Sequence, residues 1–182
     1  MKNLIILAFL LVVGKDAVSQ PLDIRGYGVQ GGWTLADNDL GMGFAAGGHA
    51  NIRGVVKGVW LHPELFGSYA QNKKSDAETN TIAIGLNGSA SYEFGYTLLD
   101  IRPFIGGGGG FAYLISSVRV QDPLTSNTSS LSATHGKLSI MAYGGGRYEL
   151  NRLWTLYLEA RVTVISRFNH FAVSLGVNYL RK

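Results

Sequence analysis

The chain has 182 residues, with 16 Lys and Arg against 12 Asp and Glu, a formal charge of +4 and no cysteine. That weak positive balance is spread along the chain, which gives no footing for nucleic acid, and the lack of cysteine excludes a disulfide framework. Charged residues make up 15%, well under the roughly 25% of soluble domains, and the 25 glycines are about twice the usual share of roughly 7%. Few charges with abundant glycine and aromatics suit a protein whose outer surface is lipid.

Residues 1–19 read as a secretory signal peptide. Lys2 supplies a short positive n-region, Leu4 to Val13 an apolar h-region, and Ala17-Val18-Ser19 the small-x-small pattern of a cleavage site. Cleavage after Ser19 leaves one domain over 20–182, outside the cytoplasm. Lys2, Lys15 and Asp16 leave with the peptide, so the formal charge falls from +4 to +3. The apolar run is too short for a spanning helix, and no second run of about 18 apolar residues follows.

From residue 24 onward the chain reads as strands, because side chains alternate between an apolar face and a small or polar one. Strand one, Ile24 to Trp33, sets Tyr27, Val29 and Trp33 against Gly26, Gly28, Gln30 and Gly32. Strand two, Met42 to Ile52, sets Met42, Phe44, Ala46, Ala50 and Ile52 against Gly43, Ala45, His49 and Asn51. Strand three, Val59 to Ala70, opposes Leu61, Leu65 and Tyr69 to His62, Glu64, Phe66 and Ser68; its Pro63 predicts a bulge or a strand start. Strand four, Thr81 to Phe94, has the cleanest period: Ile82, Ile84, Leu86, Ala90, Tyr92 and Phe94 against Ala83, Gly85, Asn87, Ser89, Ser91 and Glu93.

Strand five, Ile101 to Ile115, places Ile101, Pro103, Ile105, Phe111 and Tyr113 opposite Arg102, Phe104, Gly106, Gly108 and Gly110. Strand six, Leu138 to Leu150, places Leu138, Ile140, Ala142 and Tyr148 opposite Ser139, Tyr143, Arg147 and Glu149. Asn151-Arg152 reads as a two-residue turn. Strand seven, Leu153 to Val164, sets Trp154, Leu156, Leu158, Ala160 and Val162 against Thr155, Tyr157, Glu159, Arg161 and Thr163. The last strand carries Phe171, Val173, Leu175, Val177 and Tyr179 on its apolar face, about the length a tilted strand needs to cross a bilayer.

Longer polar connections near 34–41, 71–80, 116–137 and 165–169 alternate with short ones near 53–58, 95–100 and 151–152. Even strand number, short turns at one end and long loops at the other predict an all-β, eight-stranded antiparallel up-and-down transmembrane barrel with both termini on the periplasmic side. The charged residues His49, Glu64, Glu93, Arg102, Arg147, Glu149, Glu159 and Arg161 all share the face opposite the apolar stripe. In such a barrel they converge on an interior just wide enough for side chains to fill. Buried charges must pair, so a Glu–Arg network is expected there, with no open channel.

Three stretches, together with the signal peptide, carry a resemblance: Arg102-Pro103-Phe104-Ile105-Gly106-Gly107-Gly108, Gly144-Gly145-Gly146-Arg147-Tyr148-Glu149 and the closing Gly176-Val177-Asn178-Tyr179. The chain resembles the small eight-stranded, OmpA/OmpX-like outer-membrane barrel proteins over all of 20–182. The resemblance implies residence in a Gram-negative outer membrane among lipid and lipopolysaccharide. It also implies that the terminal strand is read by the barrel-assembly machinery through a final aromatic residue. Here Tyr179 is followed by Leu180-Arg181-Lys182, a departure from that pattern.

The chemistry-bearing motifs are sparse. Gly31-Gly32-Trp33 matches the Gly-x-Trp of lipocalins, but a soluble ligand binder would keep an apolar interior, a charged exterior and a helix near its end. Gly106 to Gly110 lacks the Gly-Lys-Ser/Thr of a phosphate loop. Among His49, His62, His135 and His170, only His135 in the long loop and His170 at the start of the last strand suit a rim site for lipid hydrolysis, and none is arranged as His-x-Ser. Scattered histidines without cysteine give no metal cluster, and no cofactor site is read. The neutral Ser/Thr stretch from Thr125 to Thr134 is the tip of the third long loop. The reading is a non-enzymatic structural or surface-interaction barrel with a filled polar lumen, whose external loops meet host or environmental partners. A narrow small-solute porin, a barrel-embedded lipid-modifying enzyme and a soluble lipocalin-like binder stand as alternatives.

Overall fold

The computed structural model describes residues 23–36, 41–54, 56–74, 77–95, 100–121, 128–165 and 168–181. The segment read as a signal peptide, 1–19, lies outside them. Eight strands follow one another: β1 (Ile24–Ala36), β2 (Gly41–Arg53), β3 (Val59–Lys74), β4 (Ala77–Glu93), β5 (Ile101–Gln121), β6 (Thr128–Glu149), β7 (Trp154–Ile165) and β8 (Phe168–Leu180). Each pairs antiparallel with its sequence neighbour, and β8 pairs with β1 to close an up-and-down barrel. Closure leaves no strand of the wall with a free edge toward lipid, which a wall facing lipid requires.

Carrying a position of β1 through the eight registers in turn returns it to β1 ten residues further on, a shear of ten for eight strands. With a rise of about 3.3 Å per residue and strands about 4.8 Å apart, that shear implies a tilt of about 40° and a wall radius of about 8 Å. Long side chains from opposite walls therefore meet at the axis. The strands are too polar on that side to do so without pairing.

The outer wall is apolar. Trp33 is 76% exposed, Leu86 65% and Leu175 60%, as are Ile84, Ile105, Phe111, Ile140 and Leu158 to similar degrees. Along β1 the outward residues from Tyr27 to Leu35 cover about 27 Å of strand, or about 20 Å along the axis at this tilt, close to the roughly 25 Å lipid-facing band of membrane barrels. Aromatic rings gather at its two ends. Tyr27, Tyr92, Phe94, Tyr148, Trp154 and Tyr179 sit toward the short-turn end, with edge-to-face contacts at 5.1 Å between Tyr92 and Phe94 and between Trp154 and Tyr179. Trp33, Phe44, Tyr69, Tyr113 and Phe171 sit toward the other end.

Three connections and one strand interior differ from the sequence reading. The supposed loop 116–137 is mostly strand: β5 runs on to Gln121 and β6 starts at Thr128, in unbroken register from Ser116↔Ala133 to Gln121↔Thr128. Val118, Val120 and the threonines favour extended backbone, and adding to an existing ladder needs no new nucleus. Much of 71–80 is likewise strand, since Asn72↔Thr79 and Lys74↔Ala77 pair. The turn at Asn151-Arg152 spans 150–153, where the Asn151 side-chain carbonyl accepts the N–H groups of Leu153 (2.8 Å) and Trp154 (3.0 Å), a local side-chain bond that organises the bend. Pro63 makes no bulge. The β2–β3 ladder stops at His49↔Glu64 and resumes in the same register at Ile52↔Leu61, as expected where a residue has no N–H to donate. Among the described residues the one register shift lies between Ile24 and Gly26.

β7 reaches only Ile165, opposite Ser139. Among the described residues, 128–138 of β6 therefore have no strand on the β7 side. Above the barrel, this ribbon ends in an open edge.

Candidate functional site

Two regions have chemistry of their own: the lumen and the open edge above it. At mid-height Glu64 projects inward from β3, and Glu159 and Arg161, two residues apart on one face of β7, project from the far wall. Arg161 Nη1 donates to both carboxylate oxygens of Glu64 at 2.7 and 2.8 Å, and Arg161 Nε donates to Glu159 Oε1 at 2.8 Å. Gln30 Nε2 donates to Glu64 at 2.7 Å, and the Tyr157 hydroxyl donates to Gln30 at 3.2 Å. The Arg161 guanidinium lies 5.3 Å over the Tyr143 ring. Two carboxylates share one cation here, and Glu64 takes a further bond from the neutral Gln30 amide.

Toward the short-turn end a second cluster forms. Arg102 and Arg147 are direct cross-strand neighbours, a repulsive placement unless an anion intervenes. Glu93 does so, accepting from Arg102 Nη1 at 3.2 Å and from Arg147 Nη1 at 2.6 Å. Arg102 Nη2 also reaches Glu149 at 2.7 Å, and Arg147 stacks over Phe104 at 5.6 Å. Of the eight residues read as an interior polar network, seven fall into these two ion clusters. The eighth, His49, contacts Asn178 instead, Nε2 to Oδ1 at 2.9 Å.

The histidines separate. His62 Nε2 and Ser91 Oγ are 2.8 Å apart inside the lumen, with the His49 ring 5.5 Å away edge-on. His170 is buried in the outer half, whereas His135 is exposed on the ribbon. The two histidines singled out for a rim site thus face different environments. Among the described residues no group of three His, Cys, Asp or Glu is placed to hold a metal ion.

Packing closes what the charges leave. Phe104, Met141, Tyr143 and Tyr157 cluster at mid-height, and Phe66, Ala83, Ala112, Leu114 and Ile165 fill the outer half. The cavity beside His62 and Arg161 has a volume of about 20 Å³, space for about one water. Sequence parity put Tyr143 and Tyr157 on the inner face but said nothing of their partners. Each stands opposite a glycine across the ladder, Tyr157↔Gly176 and Tyr143↔Gly106, and a Cβ on either glycine would collide with the ring. That explains why a barrel this narrow is so rich in glycine. Gln30, also central here, lies in no motif, and the motif that contains Asn178 gives it no role; only the inward parity marks them.

No protein-family model matches the sequence, and no curated protein matches it either. In three dimensions the chain is similar to Neisserial surface protein A, with a TM-score of 0.58 at 16% identity over 88% of this chain and 99% of that one. It is similar too to Ail, the attachment invasion locus protein of Yersinia pestis, with a TM-score of 0.53 at 9% identity over 86% of this chain and 99% of Ail. At such identities the likeness is one of fold. The fold is that of a small outer-membrane barrel. With its belt of exposed apolar side chains capped by aromatics, the barrel has the outer surface of a bilayer-spanning wall. The lipocalin-like alternative is overturned by the same surfaces: the exterior is apolar, and the interior is polar and packed instead of holding an apolar ligand cavity.

Proposed function

We propose that this barrel is a non-enzymatic surface-interaction protein that presents the open edge of β6, residues 128–138, to extended segments of partner proteins outside the cell. The observation that carries this is the edge itself. A row of unpaired N–H and C=O groups templates a further strand, and addition of an extended peptide to such an edge is a recurring mode of recognition. Proteins that avoid such pairing guard their edges with charges, proline or bulges. This stretch, Thr-Ser-Ser-Leu-Ser-Ala-Thr-His-Gly-Lys-Leu, has Lys137 as its one fixed charge and no proline. Leu131 stands 75% exposed along it, an apolar anchor for an incoming side chain.

The lumen supports this reading over its rivals. A Glu–Arg network packed with aromatics acts as structural filling and leaves no path for solutes. The His62–Ser91 contact adjoins space for one water, so no acyl chain reaches it. In the same reading β8, with Phe171, Val173, Leu175, Val177 and Tyr179 toward lipid, is the strand offered to the assembly machinery. Lipopolysaccharide packs against the outer belt. Ail is named for attachment and invasion, but the proposal rests on the edge.

The test is to pan a random displayed peptide library against the full barrel in lipid nanodiscs. A variant whose ribbon is cut from Ser117 to Ser132 and closed by an Asn-Gly turn serves as counter-target. The expected binders are short sequences of alternating character that protect amides 128–132 from hydrogen exchange and bind more weakly to the cut variant, which keeps only 133–138 of the edge. Binders that take both proteins equally would overturn the proposal.

A further inference from the structure

The opposite end of the barrel carries a feature that surface recognition does not use. Under the short turns a cavity of about 510 Å³ opens toward the periplasm, lined by Arg25, Arg53, Lys57 and Arg102 together with Trp60 and Tyr92. Among the described residues its wall holds one carboxylate, Glu93, and that is already taken by Arg102 and Arg147. With the flanking partners included, Asp23 bound to Arg25 at 2.6 Å and Glu149 bound to Arg102 at 2.7 Å, five bases face three acids, a balance of +2. Arg53 and Lys57 have no ion pair among the described residues.

The turn that carries them is held in place. Gly58 adopts φ +86°, a left-handed conformation that favours glycine. Its carbonyl accepts the Glu93 N–H at 2.8 Å, Gly54 donates to the Val59 carbonyl at 3.0 Å, and Arg53 N–H donates to the Asp23 carbonyl at 3.0 Å. Both cations therefore start from fixed backbone, so little ordering is lost when an anion arrives. The cavity also reaches the lipid side of the wall. Val59 and Tyr92, which help line it, point outward on paired positions of β3 and β4, and Tyr92 packs edge-on against Phe94 at 5.1 Å at the aromatic end of the belt. One concavity thus joins unneutralised cations to a membrane-interface aromatic wall.

We infer that this mouth binds the phosphate headgroup of an anionic phospholipid from the periplasmic leaflet. Guanidinium groups grip phosphate oxygens in pairs, and basic pockets beside spanning segments capture anionic headgroups while the acyl chains stay in the bilayer. A zwitterionic headgroup brings its own ammonium and gains nothing from a mouth of net positive charge. The lipid so held fastens the inner rim of the barrel to its leaflet.

The experiment is native mass spectrometry of the refolded chain in detergent, titrated in parallel with phosphatidylglycerol and phosphatidylethanolamine of matched acyl chains. Phosphatidylglycerol should be retained selectively, and its retention should fall as ammonium acetate is raised. The double variant Arg53→Gln, Lys57→Gln should weaken retention by about 25-fold, taking about fivefold per basic side chain near a membrane surface. Lys73→Gln, on the far side of the bilayer, should leave it unchanged. Heat-modifiable mobility of each variant confirms a folded barrel, and the salt titration of the unmodified protein stands whether or not the double variant folds. Equal retention of both lipids, or retention untouched by salt and by the double variant, would overturn the inference. Displacement of phosphatidylglycerol by an equal concentration of inorganic phosphate would show a soluble-anion site instead of a lipid site.

Discussion

β6 contains two regions that differ in almost everything except backbone. From Ser139 to Glu149 it pairs on both sides, with β5 and β7, and its side chains alternate sharply. Ser139 and Met141 are 3% exposed while Ile140 between them is 68% exposed. From Thr128 to Leu138 it pairs with β5 in the same register and has an open second side. There the alternation vanishes, and residues 129–136 are all exposed. The lower half separates lipid from a packed polar lumen; the upper half has water on both faces. Alternation along a strand therefore reports two different surroundings, and the ladder persists where the surroundings become the same.

The largest expected effect breaks the lower region from within. Arg161→Ala would leave Glu64 and Glu159 facing each other at 2% and 6% side-chain exposure, and stranding buried charges in this way costs about 3–5 kcal/mol. Urea titration of the heat-modifiable band should show a correspondingly earlier midpoint. A midpoint equal to that of the unmodified protein would mean that the Glu64–Arg161–Glu159 cluster does not hold the lumen.

Next come two leucines with similar exposure in different surroundings. Leu86 is 65% exposed in the middle of the belt and Leu131 is 75% exposed on the ribbon. Leu86→Arg should cost about 2–4 kcal/mol, because the charge enters lipid, whereas Leu131→Arg should stay within about 0.5 kcal/mol as an ordinary surface change. Equal effects in the same urea assay would erase the distinction between the two regions.

The smallest effect is local to the water-exposed extension of β3 and β4. Hydrogen bonds from Asn80 and Gln71 hold the Glu78 carboxyl below its ordinary value of 4.5, with donors at 3.1 and 2.7 Å. A lowered folded value means that the contribution is present above the ordinary value and is lost as pH falls through the lowered one. Amide exchange across 71–74 and 77–80, corrected for intrinsic pH dependence, should quicken over that acid window in the natural chain. In Glu78→Gln the acid response should be absent, while the barrel below is unaffected in both.

The contrast also explains what could be read before the structure. The wall was legible because lipid outside and packed charge inside imprint a two-residue period on β1 to β5, the lower half of β6, and β7 and β8. Inward parity alone grouped Glu64, Glu93, Arg102, Arg147, Glu149, Glu159 and Arg161. Which acid meets which base was not legible. Glu64 and Arg161 are 97 residues apart, and their meeting depends on the shear of the closed barrel, a sum over every register that no local stretch contains. The ribbon reads as a loop in the sequence because its pattern lacks the contrast that marks a strand with two different faces. The mouth at the other end was invisible for a related reason: Arg53 and Lys57 are aimed by the left-handed Gly58 turn and its bond to Glu93, not by any periodicity.

One strand, β6, passes from a doubly paired wall to an open edge at Ser139. Residue-resolved hydrogen exchange of β6 in lipid nanodiscs tests it most directly. Consecutive amides from 139 to 149 should exchange slowly. From 128 to 138 slow and fast amides should alternate, because every second N–H points away from β5. Uniform slow exchange through both halves would contradict the open edge, and fast exchange from 139 to 149 would contradict the closed barrel.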